Sequence, residues 1–287
     1  MKYCMFLFLL LSSFASFSQY NTAYVSYQSD YYNGTNISFV KMSRKDERVK
    51  VKYFAAKEDN TSVYQRFLSW KSGKNIITYS SGTYMDHCEA SIAKPVGLCI
   101  DNGKLVNNTM TYDLDGFTIV YATGGMVASN LRDKDLTITY QDNTKKTLNI
   151  RDAFDRQTFI DWASKLSATV FQTHLLAYRN QLSIYPGVSK ISNRRFIAVG
   201  KDYNGILHHI IISTSTAQSL YDASVAAFNY IKSKNLLADI TYMINVDPGC
   251  QDVFKVYNST GTTLTSKGFY GTYDISQAAN LVVYYYE

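Results

Sequence analysis

The chain has 287 residues, a formal net charge of +6 and 46% apolar residues, enough to build a large core. Its positive charge is scattered, and the densest basic stretch, "KMSRKDERVKVK" (Lys41 to Lys52), is broken by Asp46 and Glu47 and alternates like the solvent face of a strand, so nucleic acid is not indicated. Four cysteines without CxxC spacing are too few for a disulfide scaffold and give no zinc signature.

The chain opens as a secretory signal. Lys2 precedes the apolar run "MFLFLLL" (Met5 to Leu11), and "SSFASFSQ" follows with small residues, so cleavage after Ser18 is expected. The expected organisation is a signal peptide over 1–18 and one domain over 19–287. The apolar run is too short to cross a bilayer, and no later run is long enough, which predicts an exported chain without a transmembrane segment, secreted or periplasmic. In such a compartment Cys88 and Cys99 are expected to pair across one loop, leaving Cys250 free.

Strand-like runs then dominate: "TAYVSYQ", "ISFVKM", "VKVKYF", "NIITYS", "VGLCI", "FTIVYA", "LTITY", "RFIAVG", "ILHHIIIS", "ITYMINV", "VFKVY" and "LVVYYY". Asn102-Gly103 and Asn204-Gly205 are two-residue turn signals that read as hairpins. A short helix is expected at "TSVYQRFLSWKS". A stronger one at "DRQTFIDWASKLSA" carries Phe159, Trp162, Ala163 and Leu166 on one face, with Asp155 as N-cap. In "TAQSLYDASVAAFNYIKSKN", Leu220, Ser224, Ala227, Phe228 and Ile231 form a narrow stripe suited to packing on a sheet. Many strands with two or three helices predict an α+β fold with large, mostly antiparallel sheets. His208 and His209 are adjacent on a strand and face opposite sides, so one buried and one exposed imidazole is expected.

No GxSxG, HExxH, P-loop or GxGxxG is present. Asp247-Pro248-Gly249 closes "ITYMINV" and by turn chemistry alone is an Asx-Pro turn. The order of weaker features carries a resemblance. "YSSGTY", "KPVGLCIDNGKLVN", "ATVFQTHLLAYRNQL", "NRRFIAVGKDYNGILHHIIIS", a helix and "ITYMINVDPGCQD" resemble, in that order, the secreted phosphodiester glycosidases. That family contains the lysosomal-pathway uncovering enzyme, which removes N-acetylglucosamine from a sugar phosphodiester. The likeness spans roughly Asn75 to Tyr257.

The resemblance implies a glycosidase-type hydrolase acting on a sugar-1-phosphodiester or related glycoconjugate. Asp247 would be the carboxylate, and Arg194 or Arg195 would grip the phosphate. Ser80, Gly82, Tyr84, Gln172, Thr173 and Gly249 would hold the ligand. Such chemistry asks for a carboxylate at the oxocarbenium-like centre and a cation on the phosphate, which is a good leaving group. Asp86 and Glu89 could add a second carboxylate, although their loop reads as solvated. No cofactor is evident, and a divalent metal is left open. The chain departs from the family pattern at Ser80, at His174-Leu175 in place of Gly-Pro, and at Pro248, Cys250 and Gln251. Pro248 removes a backbone N–H that could bind an anion. These departures keep a second reading alive: an inactive glycan-binding or surface-interaction protein that retains the fold.

Overall fold

The computed structural model describes residues 24–133, 136–187, 189–246, 252–267 and 275–287. The expected signal peptide and its cleavage site lie outside these residues, as does the Asp247–Gln251 segment.

In chain order, β1 (Val25–Tyr32), β2 (Thr35–Ser43) and β3 (Val49–Phe54) lead into α1 (Val63–Trp70). Then come β4 (Asn75–Ser80), β5 (Cys99–Asp101), β6 (Lys104–Asn107), β7 (Gly116–Val120), β8 (Met126–Asn130), β9 (Leu136–Thr139), β10 (Lys145–Leu148) and α2 (Ala153–Lys165). After α2 run β11 (Thr169–Thr173), β12 (Leu175–Tyr178), β13 (Gln181–Leu182), β14 (Ser192–Lys201), β15 (Leu207–Gln218) and α3 (Leu220–Ser233). The chain closes with β16 (Asp239–Val246), β17 (Phe254–Tyr257), β18 (Thr263–Lys267) and β19 (Leu281–Tyr286).

These strands form a seven-stranded sheet ordered β1-β2-β15-β14-β16-β12-β13, two five-stranded sheets ordered β6-β5-β11-β7-β8 and β18-β17-β4-β19-β3, and a β9–β10 ribbon. The pairings about the candidate site are antiparallel, and the fold is mixed α+β with β-structure dominant.

The three large sheets share one core. Val40, Ile197, Ile211 and Ile244 of the seven-stranded sheet meet Val51, Ile77, Val256 and Val282 of the β18-β17-β4-β19-β3 sheet and Cys99 and Phe171 of the β6-β5-β11-β7-β8 sheet. Each sheet then carries one helix on its other face. Ala223, Ala227 and Ile231 of α3 cover Phe196, Ala198 and Ile212. Phe159, Trp162 and Ala163 of α2 cover Ile100, Phe117 and Val170. Val63 and Phe67 of α1 cover Phe54, Tyr79 and Val283. Small residues on α3 let it approach the sheet closely, as its stripe predicted.

Local signals explain the ends. Ser62 and Gln65 form a reciprocal capping box at α1. At α2 the cap is Asp152 and not Asp155: Asp152 Oδ1 accepts from the backbone of Phe154 (2.9 Å) and Asp155 (3.1 Å), while Asp155 turns back to accept from Asn149 N (2.8 Å). Asn102 and Gly103 both have positive φ (50° and 81°), as the β5–β6 turn requires. At Asn204-Gly205 only Gly205 is left-handed (76°). There Lys201 pairs with Leu207, so the loop is longer than two residues, and Asp202 Oδ1 organises it by accepting from Asn204 N (2.8 Å) and Ile206 N (2.9 Å).

His208 and His209 do face opposite sides, yet both are buried, because the seven-stranded sheet is covered on both faces. His208 Nε2 lies 3.0 Å from Asp202 Oδ2, and His209 Nδ1 lies 3.1 Å from the Tyr284 hydroxyl. The basic stretch keeps its alternation at Lys50 and Lys52, half-buried residues that alternate with buried Val49, Val51 and Tyr53.

Burial, with the nearby Arg44 and His208 charges, pushes His209 down from 6.5 to about 3. Its folded value lies below its unfolded value, so between those limits the unfolded chain holds the extra proton, and stability present above pH 6.5 is lost as pH falls towards 3. Urea melts across this window are expected to show a contribution of about 1.4 kcal/mol per pH unit that is missing in His209→Leu.

Candidate functional site

Strands β14 and β16 are antiparallel neighbours, and Arg195 stands opposite Val246. Val246 is the last described residue before Asp247 and Gly249, so the proposed carboxylate and its glycine lie outside the described residues. The arginine pair therefore sits at the strand end from which the Asp247 segment departs.

Arg194 and Arg195 project to opposite faces of the sheet. Arg195 points into the space between sheets and is 1% exposed. Its Nη2 pairs with Asp252 Oδ1 at 2.5 Å, its Nη1 donates to Val253 O at 3.1 Å, and its guanidinium lies 4.5 Å from the Phe254 ring centre. A buried charge with such partners is compensated, and its removal would strand Asp252. Asp252 has φ +25°, an uncommon backbone for a residue with a Cβ.

Arg194 faces the other way, 7% exposed, with its backbone N–H on Thr214 Oγ1 (3.0 Å) and its Nη2 on Lys190 O. Its Nε is buried and has no hydrogen-bond partner among the described residues.

The "YSSGTY" loop closes the other side. Ser80 ends β4, fully buried, with its hydroxyl donating to Ser81 O (2.6 Å). Ser81 exchanges hydrogen bonds with Val253, at 2.8 Å from its N–H and 3.0 Å to its Oγ. Gly82 donates to Asn280 Oδ1, and a Cβ there would meet Tyr53 Cε2 at 2.3 Å, so close packing dictates glycine. Thr83 Oγ1 donates to Gln172 O (2.6 Å). Tyr84 is half-buried; its hydroxyl accepts from Asn245 Nδ2 (2.6 Å), and its ring meets His174 edge-on at 5.4 Å.

Gln172 and Thr173 end β11. Gln172 is fully buried: Oε1 accepts from Leu98 N (2.8 Å) and Thr111 N (3.1 Å), and Nε2 donates to Thr111 O (3.0 Å) and Leu114 O (2.8 Å). Thr173 Oγ1 donates to Asn245 O (2.5 Å). Both side chains are thus committed to backbone, Gln172 through every polar atom it has.

Sequence reasoning gave no role to His174, Asn245, Asp252 or Asn280. His174 lies between β11 and β12, and its carbonyl accepts from Asn245 N (3.0 Å). Burial pushes its imidazole down; Asp115 and Asp113 oppose that, and Arg194 reinforces it. The group is therefore biased to the neutral form. Asn245 had one usable signal, a carboxamide inside the apolar strand "ITYMINV". Asp86 and Glu89 are exposed, as read. Among the described residues no group of three His, Cys, Asp or Glu side chains could hold a metal.

The expected Cys88–Cys99 bridge does not form. Cys88 is disulfide-bonded, while Cys99 is a free thiol, fully buried on β5 where Phe171 stands opposite. The other cysteines of the chain, Cys4 and Cys250, lie outside the described residues.

The arrangement offers a cation (Arg194), a neutral imidazole (His174) and a phenol–carboxamide pair (Tyr84, Asn245). Beside them is a compensated arginine–carboxylate pair (Arg195, Asp252). No family model matches the sequence, and no curated protein matches it. Solved structures do. The chain is similar to the catalytic domain of zebrafish N-acetylglucosamine-1-phosphodiester alpha-N-acetylglucosaminidase, auto-inhibited by its pro-peptide, with TM-score 0.50 and 14% identity over 92% of this chain and 82% of that one. It is also similar to a hypothetical protein from Synechocystis, with TM-score 0.51 and 9% identity over 92% of this chain and 62% of that one. At such identities the likeness is one of fold.

Two outcomes follow from the packing. Gln172→Leu leaves four buried backbone groups without partners and is expected to cost roughly 3–5 kcal/mol in chemical denaturation; a residue that only touched ligand would leave stability unchanged. Burial, then the Asp101 charge, raises the Cys99 thiol well above its usual range. Native labelling is therefore expected to miss Cys99, unfolding to expose it, and non-reducing peptide maps to find Cys88 joined to a peptide other than that of Cys99.

Proposed function

We propose that the chain is an exported glycosidase-like hydrolase, its domain running from about residue 19, that cleaves a sugar-1-phosphodiester or a related glycoconjugate. The observation that carries this reading is the convergence of Arg194, Tyr84, His174 and Asn245 at the end of β16, next to where Asp247 follows in the chain. The fold likeness to a phosphodiester-glycosidase catalytic domain supports it.

On this reading Asp247 is the carboxylate that attacks or stabilises the anomeric centre or activates water. Arg194 holds the phosphate, because its side chain meets a carbonyl and no carboxylate among the described residues, whereas Arg195 is already engaged by Asp252 and Val253. Arg195 then holds the floor of the site through the 252–254 segment. Tyr84 orients the sugar, and neutral His174 can take a proton from the attacking water. Gly249 and Ser80 shape the walls.

A second reading has its own support. His174-Leu175, Pro248 and Cys250 stand where the family has Gly-Pro and glycines, which fits a glycan-binding protein that no longer turns over.

A panel of sugar-1-phosphodiesters separates the two. Hydrolysis that falls by orders of magnitude in Asp247→Asn, with an unchanged thermal midpoint, is expected. Arg194→Ala is expected to weaken phosphate binding by about 2–3 kcal/mol, seen in KM. Binding without turnover selects the second reading. Full activity in Asp247→Asn removes the first.

A further inference from the structure

A second surface site lies at the other end of the same sheet. β4 runs from Asn75 to Ser80, roughly 17 Å, so a groove at Asn75 is well separated from the candidate site at Ser80. This groove, of about 650 Å³, opens between the C-terminal end of α1 and the turn from β17 to β18. Its aromatic and aliphatic lining is Phe67, Ile76 and Tyr257, buried or half-buried, with exposed Leu68.

Two lysines line the α1 side. Lys71, exposed, is the helix C-cap and carries its ammonium 5.6 Å from the Phe67 ring centre. Lys74 follows after a turn through Gly73 (φ +75°), its ammonium 5.3 Å from the Trp70 ring centre. Glu287 reaches Lys74 at 3.1 Å but shares its carboxylate with Lys50 at 3.3 Å. No acidic side chain lines the groove among the described residues.

The β17–β18 turn is the polar side. Asn258 Oδ1 is consumed inside it, accepting from Thr260 N (3.0 Å), Thr260 Oγ1 (2.8 Å) and Thr262 N (2.8 Å). That fixes the turn and leaves the Asn258 amide hydrogens and the Ser259 hydroxyl to be offered outward. Ammonium groups on one side, hydroxyl and amide on the other, and a partly aromatic base match a ring that is apolar on its face, hydroxylated at its rim and acidic at one substituent.

We propose that this groove binds an acidic saccharide, with its carboxylate or sulfate on Lys71 and Lys74 and its ring against Tyr257. The proposal does not depend on the hydrolase reading, since the groove shares no residue with the candidate site.

The test is calorimetric titration of the exported chain with a heparin-derived tetrasaccharide, tetragalacturonate and neutral N-acetylchitotetraose. The two acidic probes are expected to bind and to weaken as salt rises, and the neutral one to bind more weakly than either. Lys71→Gln with Lys74→Gln is expected to reduce the acidic affinity about tenfold, since each ion pair is solvent-screened. Lys71 is exposed and Lys74 is half-buried, and Gln keeps much of the length of either side chain, so the pair is expected to fold; a melting temperature close to that of the parent checks this. Tyr257→Phe is expected to retain binding and Tyr257→Ala to lose it. Failure of both acidic probes to bind, equal binding of the neutral tetraose, or undiminished binding by the folded double variant each overturns the proposal. Asp247→Asn tests the separate site and is expected to leave these titrations unchanged.

Discussion

The kink between β11 and β12 is the joint on which the architecture turns. Residues Thr169–Tyr178 are nearly continuous strand, yet β11 belongs to a five-stranded sheet and β12 to the seven-stranded one. The chain changes sheet at His174. Each neighbour of that position is pinned separately: Gln172 by four backbone groups, Thr173 by Asn245 O, and the His174 carbonyl by Asn245 N. Gly116 allows β7 to run against the joint, since a Cβ there would stand 2.8 Å from Thr173 O. A side chain on such a joint, or on a residue bonded to it, inherits its rigidity, as those of His174 and Asn245 do.

The shared core sets the second constraint. When a sheet is covered on both faces, alternation no longer divides water from protein, and polar residues within its strands must find partners inside. His209 finds Tyr284, His208 finds Asp202, and Arg195 finds Asp252. Neutral His209 and the ion-paired Arg195 are two answers to the same desolvation problem: an imidazole can shed its proton, and a guanidinium cannot.

This also explains what the sequence made legible. Strands such as "RFIAVG" and "LVVYYY" were readable because near-continuous apolar runs survive double burial, and the small-residue stripe of α3 announced its close seat on a sheet. Short strands at Lys145–Leu148 and Gln181–Leu182 were not, because exposed edge residues carry little pattern. The histidine pair was misjudged by assuming one wet face. The cysteine pair was misjudged because closeness in sequence says nothing of the β5 register, which turns Cys99 into the core. Of the site, Tyr84 and the arginines were visible through motif order. His174, Asn245 and Asp252 needed the fold, since the strands that join them are distant in the chain.

The two arginines show how far adjacency can mislead. They are consecutive in sequence and indistinguishable by local spacing, yet the pleat sends them to opposite faces. One meets a carboxylate, a carbonyl and an aromatic face, and serves to fasten the 252–254 segment to β14. The other meets only carbonyl and hydroxyl partners among the described residues. A phosphate at Arg195 would first have to displace Asp252. The cost of that displacement is the cost of uncovering a buried carboxylate, several kcal/mol by the usual reckoning for such pairs (about 3–5). The pleat alone thus gives two adjacent arginines different surroundings, one tied to a carboxylate and the other to a carbonyl.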